Sequence, residues 1–581
     1  MRPLDLPGNG VEAVRNLIRS LRRKGLDYPV LSLEGSFPER TPPRRAPFPL
    51  SMLPLFPSEL SLEEMARIGE LIRGDGRVAG VIFRFGSLRA GPPTRHTLRR
   101  MVQQLRSAGK HTVAWVPLAA TWDLYLASAC DEIIVPPSGR LYALGLRSQA
   151  LFLKETLAMA GIQADLESIA EYKVTPDMFR RSTMTEPHRA MLDAILDSHF
   201  EELIGAIAEA RGMERGAVQD LIDAMPMGPE DGLEAGLIDA VLYEDELPDH
   251  LAGTASEEEE KEKEEEARED QGEPPVAVIP WERAGRWLHH PLRWTTRQRI
   301  GVISVEGMIV PGESRRMPSP FPLPMEAQAG AETLVRLLRQ AEADARMAAL
   351  ILHVDSPGGS SLASDLIWRE VVRLRRKKPV VVLMGERAAS GGYYVAAPAS
   401  RIVARPTTLT GSIGIWGGKV VLRELYEKLR VGYQDVQRGA RADLYSEARP
   451  FSDEERVQVR GELGEAYRRF KQIVAQGRGM TEEEVEAIAR GRVWTGEQAR
   501  EVGLVDELGD FQTALAAAKE LAELDPEKDY TVVQLTPPGP PIAPRPFPAN
   551  DGSGGAAWEM LRDLARERVW AMAPWQLRVR G

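Results

Sequence analysis

The chain is written twice. RVAGVIFRFG (77–86) aligns with RMAALILHVD (346–355) at an offset of 269, and at that offset AATWDLYLASACDEIIV (119–135) aligns with AASGGYYVAAPASRIVA (388–404). YPVLSLEG (28–35) resembles IGVISVEG (300–307) at 272, and EDGLEAGLIDAV (230–241) matches GEQAREVGLVDEL (496–508) at 267. The offset drifts by a few residues while the order is kept, so this is tandem duplication. The constraint is strong: 581 residues exceed one ordinary core, and each copy must build the same unit.

Within each copy, short apolar runs alternate with helix-like segments. Strands are expected at 29–34, 80–85, 112–116 and 132–135, and again at 300–305, 348–354, 379–384 and 401–404. SLEEMARIGELIRG and AETLVRLLRQAEAD carry helical apolar spacing and open on capping or small residues. Runs such as PVVVLM suit strands buried on both faces. Strand, helix, strand in series implies right-handed crossovers and an α/β fold with parallel sheets and flanking helices.

Between the copies lies SEEEEKEKEEEAREDQGE (256–273), with eleven acidic and three basic residues. It supplies −8 of the net charge of −11, so the remainder is close to neutral and nothing points to nucleic acid. It reads as a solvated linker. The expected plan is an N-terminal helical segment (1–28), a first domain (29–250), the acidic linker (251–275), a second domain (276–525), and a Pro-rich segment with a C-terminal amphipathic helix (526–581).

The apolar fraction of 43% and the charged fraction of 27% are those of soluble globular protein. The single cysteine, Cys130, excludes an intramolecular disulfide framework, agrees with a reducing compartment and reads as a small core residue. No apolar run spans a bilayer and the first thirty residues lack a signal-peptide core. A cytoplasmic protein is therefore expected, at most peripheral at the inner face of the cytoplasmic membrane.

The duplication turns single residues into controlled comparisons. At one strand end the second copy reads HVDSPGGSS (353–361) where the first reads RFGSLRAGP (84–92). Tandem glycines let the backbone approach a ligand and aim N–H groups at a developing oxyanion. At the next strand end Ser390, in AASGGYY, aligns with Thr121, in AATWDLY. Small neighbours leave the Ser390 hydroxyl open and the N–H of Gly391 available, whereas Trp122 and Asp123 fill the equivalent space. Serine also caps helices at such places.

A nucleophilic hydroxyl needs a base. His353 aligns with Arg84 and is expected at a solvent- or interface-facing strand position. His96, His111, His188, His199, His250, His289 and His290 sit in no motif. The alternative is a neutral lysine, since burial tunes lysines from ~10.4 toward ~7. Lys173 lies in LESIAEYKVTPDMFRRSTM (166–184), and the second copy has Arg441, Ala442 and Asp443 near that place. Arginine never deprotonates in protein. One copy keeps the lysine and the other keeps the serine.

VDSPGG, AASGGYYVA, LTGSIGI, EYK and GRVWTGEQAREVGLVDELG, in this order, resemble the SppA (signal peptide peptidase A) family of serine peptidases in its long, two-copy form, over roughly 29–243 and 300–520. The resemblance implies a ClpP/crotonase-like α/β fold and a Ser–Lys dyad needing no metal or cofactor. Ser390 would be the nucleophile, Lys173 the general base and Ser412 of TGSIG the residue orienting the amine. Gly359 and Gly391 would supply the oxyanion N–H groups. It further implies bowl-shaped homotetramers that digest signal-peptide remnants and similar extended apolar peptides, preferring small or apolar side chains beside the cut.

Long-form members usually carry an N-terminal membrane anchor, and none is expected from this sequence. The Pro-rich loops PFPLSMLPLFP (47–57) and MPSPFPLPM (317–325) are candidates for lipid contact, for gating or for burial between subunits. Two rival readings are a crotonase-like acyl-CoA enzyme and a non-catalytic oligomeric scaffold.

Overall fold

The computed structural model describes residues 5–22, 25–41, 60–259, 276–315, 327–537 and 569–572. The chain divides into two compact units, one taking Met1–Arg147 and His199–Thr295, the other Ser148–Ser198 and Thr296–Val579. In the first unit a parallel sheet runs in the order Ala240–Val241, Glu132–Val135, His111–Trp115, Gly80–Leu88, Tyr28–Gly35, Val278–Pro280. In the second unit Glu507–Leu508, Arg401–Ala404, Val380–Ala389, Met347–Ser356 and Thr295–Glu306 repeat the order of the first five. Each of the eight strands expected from sequence overlaps one of these elements, with residues 116 and 379 falling just outside.

The run Val380–Met384 forms a central strand because both its faces are covered. Val380, Val382 and Met384 join the core cluster under the helices Ala331–Ala343 and Ser361–Arg375. Val381 and Leu383 point the other way, into a cluster with Ala514, Ala517 and Ala518 of the helix Phe511–Leu521. The period of two thus feeds two apolar layers, which explains a run without polar alternation.

The repeat extends to single hydrogen bonds. In the first unit Arg211 Nε donates to Gly236 O at 2.9 Å, its guanidinium pairs with Asp239, and Asp239 accepts the N–H of Ile133 at 2.8 Å. In the second, Arg478 Nε donates to Gly503 O at 3.1 Å, pairs with Asp506, and Asp506 accepts the N–H of Ile402 at 2.7 Å. Each network ties the last strand to the long helix before it. Leu62–Gly74 opens on a capping box between Ser61 and Glu64, while its counterpart Ala331–Ala343 opens on Gly330 with no side-chain cap.

The units do not follow the repeat throughout. Ser148–Ser198, which by sequence falls in the first copy, belongs to the second unit, and the division lies inside the helix Glu186–Arg211. The reason is strand pairing: Gln163–Ser168 runs antiparallel to Trp416–Val421, with Trp416 opposite Ser168 and Val421 opposite Gln163. Arg456 and Arg460, on the helix Asp453–Arg478, reach the buried carboxylates of Asp165 and Glu167 at 2.8 Å each.

This pairing belongs to a second sheet in that unit, ordered Gln328–Gly330, Met308–Val310, Gly358–Ser360, Val569–Met572, Trp416–Val421, Gln163–Ser168. Residues 569–572 are thus a strand, not part of the amphipathic helix expected over the C-terminal segment. Bonding on both sides overrides the local helical spacing. Of that segment Asp529–Gln534 is also a strand; residues 538–568 and 573–581, both Pro-rich loops and linker residues 260–275 lie outside the described residues, and the helix Leu247–Glu259 covers the linker's start. No helix among the described residues is long and apolar enough to cross a membrane.

Candidate active site

Ser390 follows directly on the strand Val380–Ala389 and precedes the helix Gly391–Ala396. It is fully buried, with φ 56° and ψ −115°, an unusual conformation for a side chain with a Cβ. Such a backbone persists only when its surroundings impose it. Ser390 N donates to Gly411 O at 2.7 Å and Ser390 O accepts from Tyr394 N at 2.8 Å. Its side chain makes no cap bond to the helix, so the hydroxyl is left for another partner. The small neighbours are enforced: a Cβ on Gly392 would stand 2.8 Å from Ser356 O.

That partner is Lys173. Its Nζ lies 2.7 Å from Ser390 Oγ, 3.0 Å from Ser412 Oγ and 3.0 Å from Ser412 O. The stretch carrying it is pinned by Ile169 N donating to Ile415 O at 2.9 Å and Tyr172 N to Arg490 O at 3.1 Å. Gly491, at φ 81°, lets the chain pass: a Cβ there would meet Lys173 N at 2.5 Å and Cα at 2.7 Å. On the other side a Cβ on Gly414 would be 3.1 Å from Lys173 Cδ. Val174 packs with Met191, Ile195 and Val493 in a small apolar cluster.

Lys173 is 1% exposed, and burial holds its amine well below the ordinary lysine range. A neutral amine offers two N–H donors and one lone pair. In that form the two oxygens of Ser412 would take the donors and the lone pair would face the Ser390 O–H. The site has the hydrogen-bond inventory of a hydroxyl poised against a free base.

Ser412 also has positive φ, 50°, and its N–H donates to Arg492 O at 2.7 Å. The structure therefore brings Ser390, Lys173 and Ser412 together. Gly359 lies in the strand Gly358–Ser360, packed against the helix Gly391–Ala396. Its φ of 158° and a Cβ position only 2.0 Å from Ile309 O leave room for glycine alone. Gly391 opens its helix, where the first N–H groups have no intrahelical acceptor.

The first copy is closed at the same place. Thr121 Oγ1 donates to Gly145 O at 3.1 Å, Trp122 is buried, and Asp123 pairs with Arg95 at 3.0 Å. Cys130 is free and buried, as a core residue should be. His353 departs from expectation. It is 4% exposed, because its strand is central and covered on both faces.

Sequence reasoning passed over Gly491, Gly414 and Thr175, whose Oγ1 donates to Met572 O at 2.9 Å. Gly491, three residues beyond the helix Glu482–Ile488, reads locally as a helix stop. Only the closeness of Lys173, remote in sequence, shows its other use.

A buried serine hydroxyl 2.7 Å from a buried lysine amine is an arrangement that a serine-type peptidase can use. The model of peptidase family S49 matches twice, over residues 104–256 and 372–525, and the chain belongs to that family. It is 33% identical to the chloroplastic serine protease SPPA of Arabidopsis thaliana over 83% of this chain and 69% of that one. Protease 4 of Haemophilus influenzae is 29% identical over 74% of this chain and 68% of its own. Among solved structures, a ClpP1 variant from Listeria monocytogenes aligns over 37% of this chain and 94% of its own, at 14% identity and a TM-score of 0.24.

Proposed function

We propose that this peptidase is an endopeptidase that cleaves extended, apolar peptides, signal-peptide remnants or similar, through an acyl-enzyme on Ser390. The observation that carries the reading is a buried lysine, its amine pushed well below the ordinary lysine range by desolvation, with Nζ 2.7 Å from the Ser390 hydroxyl. Ser390 Oγ attacks the peptide carbonyl while Lys173 Nζ takes its proton, and Ser412 holds the amine through two hydrogen bonds. The N–H groups of Gly359 and Gly391 stabilise the oxyanion. Lys173 returns the proton to the leaving amine and then deprotonates the water that releases the acyl group. These steps balance without a metal or cofactor.

The test is cleavage of an apolar fluorogenic peptide by the wild type, Ser390→Ala and Lys173→Ala. The reading expects both variants to be folded and at least 1000-fold slower. Full activity in Lys173→Ala overturns the base assignment. Activity of Ser390→Ala removes the nucleophile and favours a crotonase-like chemistry, and an inert but assembling wild type favours the scaffold.

The proposal extends to a homo-oligomer, a tetramer by the family resemblance. Its support is the stretch 423–443, which at the repeat offset of 269 corresponds to the lysine-bearing stretch 154–174. In the second copy this stretch is open, with Leu429 64%, Val431 48%, Tyr433 44% and Val436 88% exposed. Light scattering behind a sizing column tests it, and a monomer at micromolar concentration overturns it. A cytoplasmic location, soluble or peripheral at the membrane's inner face, agrees with the lone unpaired Cys130; cell fractionation tests it.

A further inference from the structure

Three consecutive residues clip the stretch of Lys173 to that of Ser412. Arg490 O accepts from Tyr172 N at 3.1 Å, Gly491 N donates to Ile413 O at 2.8 Å, and Arg492 O accepts from Ser412 N at 2.7 Å. The clip holds Tyr172 a second time through the Arg492 guanidinium, which lies 5.6 Å from the Tyr172 ring centroid and 4.2 Å from that of Trp494.

The clip is not a relaxed loop. Arg490 and Gly491 are both left-handed, at φ 53° and 81°, and an arginine keeps that conformation only where its surroundings impose it. The Arg490 N–H donates to the Tyr467 hydroxyl at 3.2 Å. Tyr467, buried on the helix Asp453–Arg478, donates its own proton to Glu486 Oε2 at 3.0 Å, and Lys471 Nζ holds that carboxylate at 2.8 Å. Burial pushes the phenol above its ordinary range. The O–H therefore stays on the carboxylate and the oxygen's lone pair is left for the clip.

The duplication supplies the control. The helices Glu186–Arg211 and Asp453–Arg478 both have 26 residues and align at the offset of 267. That offset sets Tyr467 against Phe200, and Arg490, Gly491 and Arg492 against Asp223, Ala224 and Met225. The copy whose strand end is closed at Thr121 has neither the phenol oxygen nor the glycine of the clip.

We propose that Tyr467 is a positioning residue for the Ser–Lys pair: its hydroxyl fixes the left-handed Arg490, and through the clip it fixes where Lys173 Nζ stands between Ser390 and Ser412. This rests on Lys173 being the base. The charged groups beside the lysine's stretch are engaged elsewhere. Glu171 pairs with Arg490 at 2.7 Å, Arg492 lies on its two rings, and Asp177 pairs with Arg180 at 2.7 Å. What the clip controls is the depth of the amine's burial, which favours its uncharged form.

Tyr467→Phe removes one oxygen and keeps the ring. At neutral pH it is expected to lower kcat about ten-fold on an apolar fluorogenic peptide, the scale of one lost hydrogen bond, with KM within about two-fold. A less deeply buried amine protonates more readily. The acid limb of the kcat profile should therefore move up by about one pH unit, and the deficit should close as pH rises. A second readout needs no substrate. The melting-temperature difference between the protein with Lys173 and its Lys173→Met form begins to climb at the folded pKa of the amine. In the Tyr467→Phe background that onset should move up by the same amount. A deficit equal at every pH with an unmoved onset assigns Tyr467 to stability alone and overturns the proposal. A moved onset in a protein that cleaves nothing keeps the positioning role and overturns the catalytic reading. A cleaving wild type matched by Tyr467→Phe in rate and onset does the reverse.

Discussion

Lys173→Met keeps the length and apolar stem of the side chain and removes the titrating nitrogen. In the folded protein burial holds this amine well below its ordinary value, whereas in the unfolded chain it titrates at ~10.4. Between those two values the unfolded chain binds a proton that the folded one does not. The wild type therefore gains stability as pH rises through that window, at about 1.4 kcal/mol per pH unit. The gain stops above ~10.4, where neither state is protonated, and below the folded pKa, where both are. Methionine has no such dependence. The difference in melting temperature of the serine-bearing unit, wild type minus variant, should climb by about 2 °C per pH unit inside the window. The assay is thermal melting of both proteins from about pH 6 to about pH 10, other groups cancelling in the difference. The pH at which the climb begins reads out the folded pKa of the amine. A difference flat across the whole range refutes the reasoning, because the lysine would then be as protonated folded as unfolded and unfit to be a base.

Ser412→Ala removes one of the two acceptors holding the amine and leaves the carbonyl. The loss of one buried hydrogen bond, about 1–1.5 kcal/mol, should lower kcat roughly ten-fold with KM within two-fold, read from steady-state peptide cleavage. Gly491→Ala places a Cβ 2.5 Å from Lys173 N at a φ of 81°. It should displace the lysine, reduce kcat at least 100-fold and lower stability by about 1–3 kcal/mol; kinetics beside a melting curve separate the two effects.

The parallel sheets were legible because their strands are apolar runs bounded by turns and each appears twice. Comparison of the copies also singled out Ser390 and Lys173, since a residue kept in one copy and lost from the other stands out against its own background. The unit boundary was not legible: Gln163–Ser168 has its strand partner in the other copy, and local pattern carries no record of a distant partner. Val569–Met572 misled for the same reason. Four residues after a helix-spaced segment become a strand only because two edges await them. Gly491 reads as a helix stop, and its second use exists only in three dimensions.

The pairing of Gln163–Ser168 with Trp416–Val421 has a consequence for how the protein is made. Ser412 follows Lys173 by 239 residues. At ribosomal speeds of ~5–20 residues per second it emerges roughly 12–50 s later. Throughout that interval the lysine's strand has no partner and its amine no burial, so the nascent chain carries an ordinary charged lysine and no peptidase. The duplication thus works as a timer. On the proposed dyad, proteolytic competence cannot appear until the second copy has been made past Ser412, and a truncated translation product that stops in the linker is expected to be inert.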